Sequence, residues 1–338
     1  MATGNEIIQV MRFARNAVRS AFILQPGNDN PLVKGEQILI LIDDETEPVI
    51  WQAFFNALQE EGIEPVVMLM SKREHDYASP PELVVKAMEA AAGTMYLTMT
   101  GMNHGPVGLR MSELGKKNFF GEDFTIEMMT RGWRWFEPDV IADWQSWGKK
   151  VRTATQGGKQ LHITSPGGTD IKIAVGDRAH MGIPGTTLFL SKVCNFGPSE
   201  AHLGLPNKDA GNGVIVADLS IHHIGAIKNP ITFTIEKGRI VNIDGTMDAV
   251  EFTEWLNRYG DENARLLGEV AVGTNKWARF SGSLREDRKI WGAIHMGFGQ
   301  NCDVGGLTRS NLHWDAVINN ATATVDGRTI IDKGKIAL

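Results

Sequence analysis

Residues 35–45, GEQILILIDDE, run five aliphatic side chains together, Ile38 to Ile42, between a glycine and a pair of acids. No polar position interrupts the run, so both faces of this segment need cover, as in a strand inside a helix-flanked sheet. The chain downstream repeats the arrangement. A helix is expected from Pro48 to Glu61, then the apolar run EPVVMLM (64–70), a second helix from Pro81 to Ala92 and a third run, TMYLTMT (94–100). Strand, helix, strand, helix, strand with short connections is the order of an open parallel sheet. Ligands of such sheets gather beyond the carboxyl ends of the strands.

Upstream, Ile7, Val10, Met11, Ala14, Val18 and Ala21 fall at three- and four-residue spacing, an amphipathic helix that stops before the turn-forming QPGNDNP (25–31). Past the third strand, TGMNHGPVGLRMS (100–112) puts His104 in a Gly/Pro loop, either as an acid, base or substrate contact or as an exposed loop histidine. Residues 122–152 read as helix in pieces, with Trp133, Trp135, Trp144 and Trp147 as packing. Neither glycine-rich phosphate pattern follows the first strand, where the chain reads DDETEP, and this excludes a conventional nucleotide domain.

Near Thr155 the character changes to short strands with Gly, Asp and Asn turns: QLHITSPGGTDIKIAVG (160–176), GVIVADLSI (213–221) and ITFTIEKGRIVNIDG (231–245), the last holding the hairpin IEKGRIV. A helix from Ala249 to Tyr259 interrupts them, and hairpins in TATVDGRTIIDKGKIAL (322–338) end the chain. The expected fold is α/β: an open parallel sheet with helices over 1–155 and a β-rich, metal-binding catalytic domain over 156–338.

At 338 residues the chain has material for two such cores. Its 34 Lys and Arg against 40 Asp and Glu leave a net charge of −6 with no basic run, which argues against nucleic acid and for a small-molecule substrate. No 18-residue apolar run exists, so no ordinary membrane helix is expected, and the charged N-terminal segment is not a secretory signal. Cys194 and Cys302 lack C-x-x-C spacing; reduced thiols in a cytoplasm fit them.

The chemistry concentrates in IWGAIHMGFGQNCDVGGLTRSNLHWDAVI (290–318). His313 and Asp315 sit two apart in an apolar, strand-like run, so they face the same way, about 7 Å apart along the chain. His295 lies in a second strand-like run that the Gly-rich connection allows to fold back beside the first. Imidazole with carboxylate suits zinc, manganese, cobalt or ferrous iron. Upstream, Glu269 opens a short apolar strand where a glutamate has no packing value, and Glu200 in FGPSEAHLGLP is either a further site acid or a solvated loop acid. His222 and His223 are adjacent, face opposite ways on a strand and are structural.

In order, PSE (198–200), GEVAVGTN (268–275), AIHMGFGQN (293–301) and LHWDAVI (312–318) make the C-terminal half resemble the M29 metallopeptidases, the thermophilic aminopeptidases. That resemblance implies metal ligands at Glu269, His295, His313 and Asp315, and a homodimer. The family's P-S-G-E loop is one residue shorter here, and a tyrosine kept after the His295 motif is replaced by Asn301 and Cys302. The chain also resembles the 2,5-dihydroxypyridine 5,6-dioxygenase branch of the same superfamily. His313 and Asp315 match two of that branch's iron ligands, N-x-x-V-G-G matches Asn301 to Gly306, and His104 with Pro106 matches a pocket loop. That branch's first histidine ligand falls on Glu269, and it lacks His295.

Glu269, His313 and Asp315 are expected to hold one divalent ion, with His295 as a fourth ligand or a ligand to a second ion; if all four bind one ion, one or two positions stay open, which suits a Lewis acid activating one water. The expected function is therefore hydrolysis of an amide or related bond in a small substrate, with oxygen not a substrate. Glu200, or Glu269 if it is free of the metal, would take the water's proton, and His104 would lie on the lid or substrate side. A ferrous dioxygenase cleaving a hydroxylated pyridine or aromatic ring is the alternative, and a non-catalytic binding protein using the same pocket is the second.

Overall fold

The computed structural model describes residues 2–23, 31–73, 78–102, 105–132, 134–175, 182–183, 193–195, 200–204, 206, 209–302 and 306–338. The chain forms two compact units, Met1–Asp143 with Gly185–Gly197, and Trp144–Pro184 with Pro198–Leu338. The second crossing, which returns a short strand to the first unit, has no counterpart in a single boundary at 155.

The first unit carries a five-stranded parallel sheet in the order Glu64–Met70, Gln37–Asp43, Gly93–Tyr96, Lys117–Phe120, Val193–Asn195. The run that decides the fold is central, and every residue from Ile38 to Asp43 is buried. Its terminal acid is fully used within the fold. Asp43 accepts the Met99 N–H at 2.7 Å and the Thr46 hydroxyl at 2.9 Å, which ties the carboxyl ends of two neighbouring strands together. The N-terminal helix, Gly4–Ala17, is closed by a Thr3/Glu6 capping box and continues as a π-helix over Val18–Ile23. It buries Phe13 among Phe54, Phe124, Trp135 and Phe136, with ring centroids 5.3–6.4 Å away.

The second unit holds two antiparallel sheets. The larger runs Arg239–Asp244, Ile231–Glu236, Asn212–Ala217, Asp170–Ala174, Gln160–Thr164, Thr322–Val325, Arg328–Asp332, Lys335–Ile336. The other runs Gly225–Ala226, Ser220–Ile221, His313–Ile318, Ile294–Gly299, Leu267–Gly273, Glu200–Gly204, Gly182–Ile183. The expected IEKGRIV hairpin is present; Lys237 and Gly238 take φ of 49° and 72°, the left-handed pair that a two-residue turn between twisted strands requires. The inner faces of the two sheets meet through aromatics. Phe233 lies 6.3 Å from Phe298 and 5.7 Å from Trp314, and Trp314 stacks on Phe298 at 4.3 Å. Helix Met247–Arg258 adds Phe252, 4.8 Å from Trp314.

Strand alternation then fixes the other face of the seven-stranded sheet. With Trp314 and Phe298 turned to the aromatic core, His313, Asp315, His295 and Gly297 turn away from it. This face is also covered, since His313–Ile318, Ile294–Gly299 and Leu267–Gly273 are buried at every position.

Candidate metal centre

Four neighbouring strands supply the centre, and their register determines which side chains meet. Gly297 pairs with Glu269 on one side and with Asp315 on the other, so two carboxylates flank a residue without a side chain. One step along, Ala271 pairs with both His295 and His202. Small residues thus form the floor and the polar residues stand around it. A Cβ at Gly297 would lie 2.9 Å from Glu269 Cβ and 3.0 Å from Asp315 Oδ1, so glycine is what lets the donors converge.

The resulting distances form a chain. Glu200 Oε2 lies 3.6 Å from His295 Nε2, which lies 3.4 Å from Glu269 Oε1. The second oxygen, Glu269 Oε2, lies 3.8 Å from His313 Nε2, and that nitrogen is 3.3 Å from Asp315 Oδ1. Two donors held about 2.1 Å from one cation stand roughly 3.0–3.4 Å apart at ordinary coordination angles. The separations are at or slightly above that edge. Glu200, Glu269 and His295 have donor atoms mutually within 4.8 Å. All six polar residues are at most 4% exposed: Glu200, His202, Glu269, His295, His313 and Asp315.

Hydrogen bonding prepares these groups for a cation. His313 Nδ1 lies 2.6 Å from the Gln300 carbonyl, which can only accept, so Nδ1 carries the proton and Nε2 presents a lone pair to the cluster. Among the described residues, neither ring nitrogen of His295 nor Oδ1 of Asp315 makes a hydrogen bond. Buried polar atoms left in this way are costly unless something binds them. The donor set therefore fits a divalent ion.

Two cations border the acids. Arg288 Nη1 donates to Asp315 Oδ2 at 2.6 Å, and the Lys289 ammonium contacts Glu200 Oε2. Three carboxylates (Glu200, Glu269, Asp315) face these two cations, an excess of one negative charge before the imidazoles are counted. Burial acts to raise the Glu200 carboxyl, but Lys289 and Arg288 outweigh it and hold it down at about 2. Burial pulls the Lys289 ammonium down to about 8, partly offset by Glu200, so both partners are charged at neutral pH. Burial also opposes ionisation of Glu269 and Asp315. His202 and His295 overcome this for Glu269, and His313 and Arg288 for Asp315, and both carboxyls sit well below their usual range. His202, 3.1 Å from Glu269 Oε1, is raised, because that carboxylate outweighs the lowering by burial.

A family profile for 2,5-dihydroxypyridine 5,6-dioxygenase (NicX) matches residues 28–338. The chain belongs to that family. A curated member, the 2,5-dihydroxypyridine 5,6-dioxygenase of Pseudomonas putida KT2440, is 21% identical over 204 residues, which is 55% of this chain and 56% of that relative's length. Among solved structures, the 2,5-dihydroxypyridine dioxygenase of P. putida KT2440 superposes with a TM-score of 0.75 at 16% identity, covering 99% of this chain and 98% of that one. Wild-type AmpT from Thermus thermophilus superposes with a TM-score of 0.63 at 17% identity, covering 98% and 99%. At those identities the two superpositions carry the fold alone.

Membership of the dioxygenase family overturns the hydrolase expectation and favours the ring-cleaving alternative; the chain spans about half the length of the curated relative it matches. Counting donors could not choose between the chemistries, because carboxylate and imidazole serve zinc and iron alike. The two resemblances read from the motifs, to the dioxygenase branch and to the M29 fold, both hold. No helix among the described residues is long and apolar enough to cross a membrane.

The structure brings Glu200, Glu269, His295, His313 and Asp315 together; His104 lies outside the described residues. Three participants were missed from sequence. His202 carried a usable signal, since Glu200-x-His202 has the same two-residue strand period as His313-x-Asp315. Arg288 and Lys289 sit in the charged run REDRK (285–289), which looks like a solvated surface. His222 and His223 occupy a turn, not a strand, and His223 has a φ of 72°. His222 is structural as expected: its ring accepts the Asp315 N–H at 3.2 Å, and its own N–H donates to the Asp315 carbonyl at 3.1 Å. The family motif at Asn301–Gly306 also has a structural reason. The Asn301 amide donates to the Gly268 carbonyl and accepts the Thr308 N–H, both at 2.9 Å, which anchors the loop beside Glu269.

Proposed function

We propose that this enzyme is a ferrous-iron-dependent dioxygenase that opens the ring of a hydroxylated pyridine. The observation that carries this reading is the family match across residues 28–338. In such a reaction both atoms of O₂ enter the product as a ring carbon–carbon bond breaks, so no further reductant is consumed. His313 and Asp315, with Glu269 and His295, are the residues that would hold the iron. Bound iron would supply the means of bringing O₂ and an electron-rich ring together.

The chain's own groups prepare that site. Gln300 fixes the His313 tautomer, and Arg288 occupies Oδ2 of Asp315 so that Oδ1 remains for the metal. A bound divalent ion would outweigh the single excess carboxylate beside Arg288 and Lys289, and the site would then favour a hydroxylated ring bound as its anion. The fully buried face keeps bulk water from the centre.

Anaerobic reconstitution with ferrous iron, followed by addition of oxygen and 2,5-dihydroxypyridine, tests the reading. Oxygen uptake should match the loss of ring absorbance one for one, and ¹⁸O₂ should label the product at two positions. Oxygen-independent loss of substrate, or no iron-dependent uptake across a panel of dihydroxypyridines, refutes it. His313→Ala should lose both iron content and uptake.

A further inference from the structure

The donor chain from Glu200 to Asp315 is long enough to suggest two adjoining cation positions sharing Glu269, whose Oε1 faces His295 and whose Oε2 faces His313. The position on the Glu200 side is already filled by a side chain. The oxygen of Glu200 that faces His295, Oε2, is the same one that contacts the Lys289 ammonium, and Arg288 Nε stands 4.0 Å from it. A divalent ion on that oxygen would press against one fixed positive charge and sit beside another.

Lys289 cannot leave by a small movement. It is 2% exposed, its N–H donates to the Glu286 carbonyl at 2.8 Å, and its carbonyl accepts the Asn275 N–H at 3.0 Å. Its backbone also lies flat on Gly273, where a Cβ would stand 2.5 Å from the Lys289 carbonyl oxygen. Gly273 pairs with Glu200 across the sheet, so this close packing is what carries the lysine to its carboxylate. The Asp315 side differs. Arg288 takes Oδ2, and Oδ1, 3.3 Å from His313 Nε2, has no hydrogen-bond partner among the described residues.

We infer that Lys289 is a built-in substitute for a second metal ion. The centre binds one divalent ion, on Glu269, His295, His313 and Asp315, and Glu200 is the counter-ion of Lys289 and not a ligand. The inference rests on the metal-centre reading but not on the reaction, because metal count is read with redox-inert zinc and is indifferent to oxygen chemistry.

The test strips the full-length protein with chelator, loads it with excess zinc, removes unbound metal and counts ions per chain by mass spectrometry. Wild type should hold one. Lys289→Met, purified with zinc present, should hold two, and the double variant Lys289→Met/Glu200→Gln should return to one. Two ions in wild type, or one in Lys289→Met, would overturn the inference. Lys289→Met leaves a buried carboxylate alone and can fail to fold, so Glu200→Gln by itself is the second measurement. Zinc affinity by chelator competition should then stay within about threefold of wild type. A loss of the roughly 10–100-fold seen when a metal site is disturbed would make Glu200 a ligand and overturn the inference.

Discussion

Gly297→Ala probes how the centre is built. The added carbon would stand 2.9 Å from Glu269 Cβ, 3.0 Å from Asp315 Oδ1 and 3.2 Å from His313 Cε1. Carbon atoms rest about 3.5–4.0 Å apart, so the 269 and 297 side chains must separate by roughly 0.6 Å. Overpacking of this kind costs about 1–3 kcal/mol. At about 2–4 °C per kcal/mol for a unit of this size, Tm should fall by roughly 2–12 °C. All three crowded atoms belong to proposed metal donors, whose tolerance is about 0.5 Å, so metal affinity should fall by about 10–100-fold while the fold survives. Calorimetry of the metal-free protein and zinc competition against a chelator measure the two effects. Gly148→Ala is the control: nothing lies within 4 Å of its Cβ, and it sits in helix Pro138–Thr155. There alanine should stabilise by about 0.5–1 kcal/mol. Unchanged affinity and Tm in Gly297→Ala would refute the account of glycine as the floor of the site.

Arg288→Met breaks a buried ion pair at 2.6 Å and should destabilise the metal-free protein by about 3–5 kcal/mol. Zinc should raise the variant's Tm by more than it raises wild type's, because the cluster is then more negative; an equal rise would contradict the balance of three carboxylates against two cations. Trp314→Ala empties the aromatic core and removes the indole bond to the Ala264 carbonyl, which should cost about 3–5 kcal/mol in denaturant melts; a loss below about 1 kcal/mol would be inconsistent with that core. Asp261 accepts from Asn311 N–H at 2.7 Å, the Ser310 hydroxyl at 2.8 Å and Asn263 N–H at 2.9 Å; burial raises its carboxyl, and these bonds outweigh it and lower it. A lowered folded-state pKa means the stabilisation is complete above the unfolded value of about 3.9 and is lost as pH falls further. Asp261→Ala should therefore cost about 1–2 kcal/mol at pH 7, with the deficit shrinking below about pH 4; a constant deficit would argue against the carboxylate's charge strengthening these bonds.

Local pattern carried much of this. Ile38–Ile42 has one reading because five aliphatic residues in a row cannot be half-exposed, and it is the central strand. His313 and Asp315 share a face because the strand period is two. The charged run REDRK was opaque for the opposite reason. Its charge favours solvent, yet Arg285, Glu286, Asp287, Arg288 and Lys289 are all at most 7% exposed. Each acid is met by backbone: Glu286 by the Arg279 N–H, Asp287 by the N–H groups of Ser281 and Gly282. Each of the last two bases is met by an acid 27 or 89 residues away. A sequence states the charge of a side chain but not the distant partner that makes its burial tolerable.

The same distinction explains why the donors were legible and the reaction was not. A histidine and an aspartate on an apolar strand offer a cation two donors on one face, and nothing in either residue specifies what a cation would do there. The fold does not decide it either, since a named dioxygenase and AmpT both superpose on this chain. What remains is the surroundings of the donors: which oxygen an arginine occupies, which carbonyl orders an imidazole, and whether a lysine stands where an ion could. In this chain those choices leave Oδ1 of Asp315 and Nε2 of His313 directed at one position, and they place an ammonium on Glu200. A hydrolase needing two ions around a bridging water would find the second place taken. A centre that holds one ion would lose nothing by it.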